Sequence, residues 1–331
     1  MKKVLTLLKW LGIGLTVLIV GVVAFVLLTW NKTFDAPLPH IAASTDSAII
    51  DRGKHLVFGP AHCATCHVPM HKIMEVEAGL EMPLVGGWEL HIPPGSFRAP
   101  NLTPDPLTGI GNISDPLIAR ALRHSVGHTG HCLFDFMPFQ QLSDADLLAI
   151  VSFLRSQEPV GHAVEPTKPS FLGKALLAFG ALKPKGPNSP PPSQVEIAPT
   201  PAFGEYLARS VANCMGCHTE RDLKSGALVG QEFAGGSFFP PHEGLSEGYA
   251  FVSPNITPHK ESGVMANWDQ DEFIRRFRAG RLGTTSPMPW GAFSRMTDTE
   301  LKALYLFLQT LNPVDNKVVK TIYAPGEPLP V

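Results

Sequence analysis

Three kinds of hydrophobic pattern follow one another along the chain. From Trp10 to Trp30 run 21 residues without a charge. As a helix rising about 1.5 Å per residue, this run is long enough to cross a hydrocarbon core about 30 Å thick. Trp10 and Trp30 mark its two ends, where amphipathic rings favour the membrane interface. Lys2, Lys3 and Lys9 precede the run and Asp35 follows it, an asymmetry that puts the bulk of the chain on the non-cytoplasmic side. A cleaved leader is the rival reading, but its apolar region spans about 7–15 residues and ends in a small-residue site. Ile41-Ala42-Ala43 matches such a site poorly, so the run reads as an uncleaved anchor.

Beyond the anchor the pattern turns helical and amphipathic. Leu147, Ile150, Val151 and Leu154 recur at helical spacing, as do Leu301, Leu304, Tyr305 and Leu308. Ser143-Asp144-Ala145-Asp146 and Thr297-Asp298-Thr299-Glu300 precede them as capping-box starts. Ile118–Arg123 and Phe273–Arg278 form two earlier helical stretches, the second capped by Asp269 and Glu272. Phe171–Leu182 is apolar, interrupted by Lys174 and too short to span a membrane; it reads as a helix packed on the first domain, with a membrane surface or a partner as the alternative contact. The third pattern is the Pro-rich run from Lys183 to Pro201, which reads as a semi-extended spacer outside any core.

The segments on either side of that spacer repeat each other. Gly53 and Gly204 each stand ten residues before a Cys and are followed by a ring, His55 or Tyr206, and then by a Leu. Pro100-Asn101-Leu102-Thr103-Pro104 matches Pro254-Asn255-Ile256-Thr257-Pro258. Met137-Pro138 and Met288-Pro289 follow, each Met 74 residues after its first Cys, and the halves end in Pro159-Val160 and Pro313-Val314. Landmarks in one order indicate a duplicated domain. The predicted division is an anchor (1–30), a linker (31–48), a first domain (49–165), an apolar helix with the Pro-rich linker (166–201) and a second domain (202–331). Each domain is expected to be all-α, with a first helix ending at the Cys pair, a middle helix and a closing helix around its own core.

Composition narrows the function. Charged residues are 17% of the 331, while 32 Pro and 30 Gly mark a loop-rich chain. The formal charge is −2, and with three of the basic residues inside the anchor the remainder is acidic, which argues against nucleic-acid binding.

The chemistry lies in Cys63-Ala64-Thr65-Cys66-His67 and Cys214-Met215-Gly216-Cys217-His218. On a helical turn, positions i, i+3 and i+4 share a face. Both thiols can add to the two vinyl groups of one haem while the imidazole reaches its iron, so the spacing marks c-type haem attachment. Zinc sites built from two such pairs separate them by about 15–20 residues, and a thioredoxin-like dithiol sits in a βαβ pattern; neither context is present. Two covalent haem c groups are therefore expected, with His67 and His218 as proximal ligands. Met137 and Met288 are the distal candidates, because a thioether favours reduced iron and the following Pro stiffens the loop. His128 and His131 are rival ligands in the first half, but lack counterparts and read as loop histidines. Met74, Met82, Met265 and Met296 read as core filler, Met296 at the position of Leu142. Arg120 and Arg123, with their counterparts Arg275 and Arg278, are candidates to neutralise haem propionates or else form a solvated helix face. Asn101 and Asn255 read as loop anchors beside the haem edge or as ordinary turn residues. Cys132 reads as a small buried residue.

These blocks resemble bacterial dihaem cytochromes c with tandem class I domains. The most telling are Pro-Asn-Leu-Thr-Pro-Asp (100–105), Thr-Gly-Ile-Gly (108–111), Phe-Met-Pro-Phe-Gln (136–140), Phe-Ile-Arg-Arg-Phe-Arg (273–278) and Met-Pro-Trp-Gly (288–291). Similar blocks occur in cytochrome c subunits of membrane-bound alcohol and gluconate dehydrogenases, which usually carry three haem motifs where this chain has two. The resemblance implies the all-α cytochrome c fold, His/Met ligation at Met137 and Met288, and passage of single electrons from a dehydrogenase to the respiratory chain. Together with the anchor it places the haem domains on the periplasmic side of the inner membrane. A dihaem peroxidase, which needs one iron open, and an integral haem subunit of a larger respiratory complex are the alternative readings.

Overall fold

A computed structural model of the chain describes residues 2–134, 136–222, 226–241, 246–283 and 286–330. The apolar run forms helix α1, Lys2–Thr29, the one helix among the described residues long and apolar enough to cross a membrane. Val26, near its end, is buried. The first half then follows as α2 (Ser47–Phe58), the short α3 (Ile73–Glu77), strands β1 (Glu89–Ile92) and β2 (Gly95–Arg98), α4 (Asp115–His124), α5 (Asp144–Ser156) and β3 (Lys168–Pro169). Helix α6 (Phe171–Ala178) leads into the Pro-rich segment. The second half contains α7 (Pro201–Tyr206), continued by a wider π turn over Leu207–Val211, then α8 (Cys214–Cys217), β4 (Phe238–Phe239) and β5 (Ala250–Val252). It closes with α9 (Gln270–Arg278), α10 (Trp290–Phe293), α11 (Asp298–Thr310) and β6 (Ile322–Tyr323).

The two halves share one construction. In each, the first helix crosses the closing helix at a glycine: a Cβ on Gly53 would lie 1.9 Å from the Ala149 carbonyl oxygen, and one on Gly204 would lie 2.0 Å from that of Ala303. Only a residue without a side chain lets the backbones approach so closely. Phe153 and Phe307, one turn further along, complete the two crossings. At α11 the capping box is reciprocal between Thr297 and Glu300. At α5 only Ser143 caps, because the Asp146 carboxylate points away to Arg52 and Tyr206.

Four sequence expectations need correction. The fold is not purely α-helical: each half carries a three-stranded antiparallel sheet, β1-β2-β3 and β4-β5-β6, whose third strand returns after the closing helix. The first helices stop before the Cys pairs, at Phe58 and Val211. The Pro-rich segment is not a free spacer, since the carbonyls of Pro192 and Ser193 accept from the amides of Asp144 and Ala145, at 3.0 and 2.9 Å. Those amides begin α5 and have no acceptor within the helix. Finally, the halves do not hold separate cores. One continuous set of buried side chains includes Leu56, Leu147 and Ile150 from the first half and Leu207, Leu301 and Leu304 from the second.

A pseudo-two-fold contact joins the halves. The Tyr206 hydroxyl donates to Asp146 Oδ2 at 2.8 Å, and His55 Nε2 lies 2.8 Å from Glu300 Oε2. Each ring thus reaches the third residue of the other half's closing helix, the self-complementary arrangement of a two-fold interface. Arg52 ties both acids together, with Nε 2.9 Å from Asp146 and Nη1 3.1 Å from Glu300.

Candidate haem-attachment sites

The turn that presents each cysteine pair begins in the left-handed region, at His62 (φ 42°) and Asn213 (φ 53°). Such conformations cost about 1–3 kcal/mol and persist where the surroundings enforce them. The next turn is helical: the amides of Cys66 and His67 donate to the Cys63 carbonyl at 3.2 and 3.0 Å, and that of His218 to the Cys214 carbonyl at 2.8 Å. Two thiols and an imidazole therefore follow one another around a single turn in each half.

Both imidazoles are oriented by the same bond. His67 Nδ1 lies 2.9 Å from the Pro100 carbonyl oxygen and His218 Nδ1 lies 2.9 Å from that of Pro254. A carbonyl only accepts, so Nδ1 carries the proton and Nε2 keeps a bare lone pair, the state a metal ligand needs. Burial lowers the pKa of both rings, partly offset by those carbonyls, and so favours the neutral form. The carbonyls are themselves held. Asn101 Nδ2 donates to the Val160 carbonyl and Asn255 Nδ2 to that of Val314, both at 2.8 Å, while their Oδ1 atoms accept from Thr103 and Thr257. Both asparagines are thus loop anchors. Gly86 and Gly235, at φ 73° and 74°, let the strand after each histidine pass against Pro100 and Pro254; a Cβ on either would lie 2.5 Å from that backbone.

Desolvation by the surrounding turn pushes the thiols of Cys63, Cys66 and Cys214 up to about 12 and also raises that of Cys217. Among the described residues no three His, Cys, Asp or Glu side chains converge as a metal cluster.

Met137 and Met288 are half-buried at the edge of the continuous core, and each carbonyl accepts from the amide two residues later, Phe139 at 3.0 Å and Trp290 at 2.8 Å. Met296 and Met265 are buried, as expected of core residues, but Met74 is 47% exposed on α3 and is not core. His128 is exposed, and His131 Nδ1 lies 3.1 Å from the Lys32 carbonyl in a loop that meets the linker. Cys132 is half-buried, with Sγ 3.3 Å from the Leu133 carbonyl.

The arginines divide. Arg123 donates to the carbonyls of Gln140 and Leu142 and to Asp144 Oδ1, and Arg278 makes the equivalent bonds to the Ser294 carbonyl and Asp298. Both therefore bind the start of the closing helix. Arg120 is buried, bonded to the Gly127 carbonyl at 2.6 Å, and its Nε–H has no hydrogen-bond partner. Arg275 is exposed on α9.

Two side chains that hold the Met288 loop carry no sequence signal. Glu77, from the first half, accepts from Arg281 Nε and Nη2 at 3.0 and 2.8 Å and from the Gly291 amide at 2.9 Å. Arg281 Nη2 in turn donates to the Met288 carbonyl at 3.0 Å. Both partners belong to the other half of the chain, and no local spacing announces them.

The donor set fits haem c in each half: two thiols, a bare imidazole nitrogen, and a thioether at the rim of an apolar core. Cys63, Cys66, Cys214, Met137 and Met288 are partly exposed and Cys217 is exposed, and Cys63, Cys214, Met137 and Met288 pack against the apolar core.

No family model matches the chain. It is 25% identical to the cytochrome c subunit of the quinone-dependent alcohol dehydrogenase of Gluconobacter oxydans, over 82% of this chain and 57% of that protein. It is 24% identical to the cytochrome c subunit of gluconate 2-dehydrogenase of Pantoea cypripedii, over 82% of this chain and 61% of that protein. A dihaem c-type cytochrome of Cereibacter sphaeroides is 28% identical over 62% of this chain and 66% of its own length. The chain thus spans less than two thirds of the dehydrogenase subunits it matches. The similarity covers most of the chain and agrees with the resemblance carried by its motifs.

Proposed function

We propose that this chain is a membrane-anchored dihaem cytochrome c that relays single electrons, taken from a dehydrogenase and passed to a respiratory acceptor, on the periplasmic side of the inner membrane. The observation that carries the reading is the pair of identical histidine settings: two Cys-x-x-Cys-His turns, each with Nδ1 on a proline carbonyl at 2.9 Å. Haem, when bound, supplies a one-electron iron couple at each site. Cys63 and Cys66 hold the first group and Cys214 and Cys217 the second. His67 and His218 are the proximal ligands and Met137 and Met288 the distal ones. Arg120, with its unpartnered buried Nε–H, is the arginine best placed to meet a propionate. Fully ligated iron leaves no position for a substrate, which favours electron transfer over peroxidase chemistry.

The membrane reading is supported by how the anchor ends. The Phe25 ring lies 5.3 Å from that of Phe179, Lys32 Nζ donates to the Ala178 carbonyl at 2.7 Å, and the Phe34 amide donates to Gly130 at 2.8 Å. The Phe25 contact, made from within α1, supports reading α1 as a segment that the mature protein retains. The dehydrogenase partner is inferred from the curated relatives, which are cytochrome c subunits of such enzymes. Optical spectra of the reduced chain test the proposal. Two low-spin haems that ignore carbon monoxide are expected, and a carbon monoxide adduct at either haem would contradict it.

A further inference from the structure

Helix α6 does not pack on the first half alone. Its N-terminus is tied to that half, where Ser170 Oγ donates to the Pro93 carbonyl at 2.6 Å and a Cβ on Gly173 would lie 2.0 Å from the Pro94 carbonyl oxygen. Its other side lies against the end of α1. Phe179 meets Phe25, Lys174 Nζ sits 5.0 Å over the Trp30 ring, and Lys32 closes the contact. Between these contacts, Leu177 and Ala178 are buried. Phe171 and Leu172 are 51% and 48% exposed, and Phe179, though it touches Phe25, is still 62% exposed. The helix contains no acid, and Lys174 is its one charge.

Depth identifies what covers these apolar side chains. Phe25 lies five residues before Trp30, about 7 Å further along α1 at 1.5 Å per residue. If Trp30 marks the water–lipid boundary, a ring touching Phe25 sits at the level of the uppermost acyl chains, the depth that apolar faces of interfacial helices occupy. Phe179 is therefore at lipid level because its ring packs against Phe25 of α1, and Phe171 and Leu172 share its side of α6 at helical spacing. Lys174, whose Nζ sits over the Trp30 ring, is at the level where long basic side chains reach headgroup phosphates.

We propose that α6 is a second membrane-contacting element, an interfacial helix that lays Phe171, Leu172 and Phe179 on the bilayer beside α1 and fixes how the first half faces the membrane. This rests on the reading of α1 as a retained span. Two attachments, one spanning and one lying flat, hold a domain in a defined orientation where a single tether lets it swing. The linker strand at Thr33, bridged to His131 in the loop that leads to Met137, then lies on the membrane-facing side.

Site-directed spin labelling of the full-length protein tests this. In a Cys132→Ser background, single labels are placed at Leu172→Cys, at Val20→Cys in α1 and at Val319→Cys, an 87% exposed site in the second half. Each protein is reconstituted in phosphatidylcholine–phosphatidylglycerol vesicles. Collision with oxygen, which partitions into lipid, is compared as a ratio with collision with a water-soluble nickel chelate. The Leu172 label is expected to give a ratio several-fold above that at Val319 and on the lipid side with Val20. A ratio at Leu172 equal to that at Val319, with Val20 lipid-exposed, overturns the interfacial helix and leaves the anchor standing. A water-exposed Val20 overturns both.

Discussion

Replacing Glu77 by Ala tests whether the first half holds the Met288 loop of the second. The Glu77 side chain is 3% exposed and that of Arg281 is 12% exposed. The substitution removes the two Arg281 bonds at 3.0 and 2.8 Å and leaves the Gly291 amide without its acceptor at 2.9 Å. Truncating one member of a buried ion pair costs about 3–5 kcal/mol, because the remaining charge stays desolvated. Arg281 keeps the carbonyls of Ser286 and Met288 as acceptors, so the lower end, about 3 kcal/mol, is expected. Glu81→Ala is the control. It also removes a cross-half contact, with Arg295, but Glu81 is 45% exposed and the loss should stay below about 1 kcal/mol. Denaturant unfolding of the purified protein reads both losses. Potentiometric titration adds a readout specific to the site, with the potential of the second haem shifting in Glu77→Ala and that of the first unchanged. Equal losses in the two variants, with both potentials unmoved, would refute the reasoning.

Three further outcomes are expected. Gly53→Ala and Gly204→Ala should each destabilise by at least about 1–3 kcal/mol, since the new methyl must displace the closing helix; denaturant midpoints matching the parent protein would rule out the crossings described. Burial pushes the Glu300 carboxyl up, but its contacts with His55, the Thr297 amide and Arg52 more than offset this, so its folded pKa lies below the ordinary 4.5. Its stabilising effect is therefore complete above that value and lost as the pH falls through the folded pKa. The Tm gap between the parent protein and Glu300→Gln should hold above the ordinary carboxylate range and narrow as the pH falls below 4.5 through the folded pKa, and a pH-independent gap would contradict the assignment. Met137→His or Met288→His should lower the potential of its own haem, because imidazole supports ferric iron better than a thioether does, whereas Met296→Leu should leave both unchanged.

What could be read from the sequence was local. The Ser143 and Thr297 caps, the helical spacing of the closing helices and the Cys-x-x-Cys-His turns are each written within a few residues, and the structure forms an element at each place. The repeat made Asn101 and Asn255 legible as a pair, and their bonds match almost atom for atom. The sheets escaped because four of their six strands are two or three residues long, one of them holds a Pro, and the third strands pair more than 70 residues away. Shared burial between the halves escaped for a related reason. The rings at His55 and Tyr206 were visible as a repeat, but their partners, Glu300 and Asp146, lie in opposite halves and looked like ordinary cap residues. Met74 is exposed where its apolar character predicts burial, because composition does not say which side of a short helix faces outward.

The proposed electron relay requires that both cysteine pairs hold haem covalently. Intact mass measurement of the chain, matured in a host that attaches c-type haem, tests it most directly. The expected mass is that of the polypeptide plus two haems, with Cys63, Cys66, Cys214 and Cys217 all closed to alkylation. A mass showing one haem or none, with either pair open to alkylation, would contradict it.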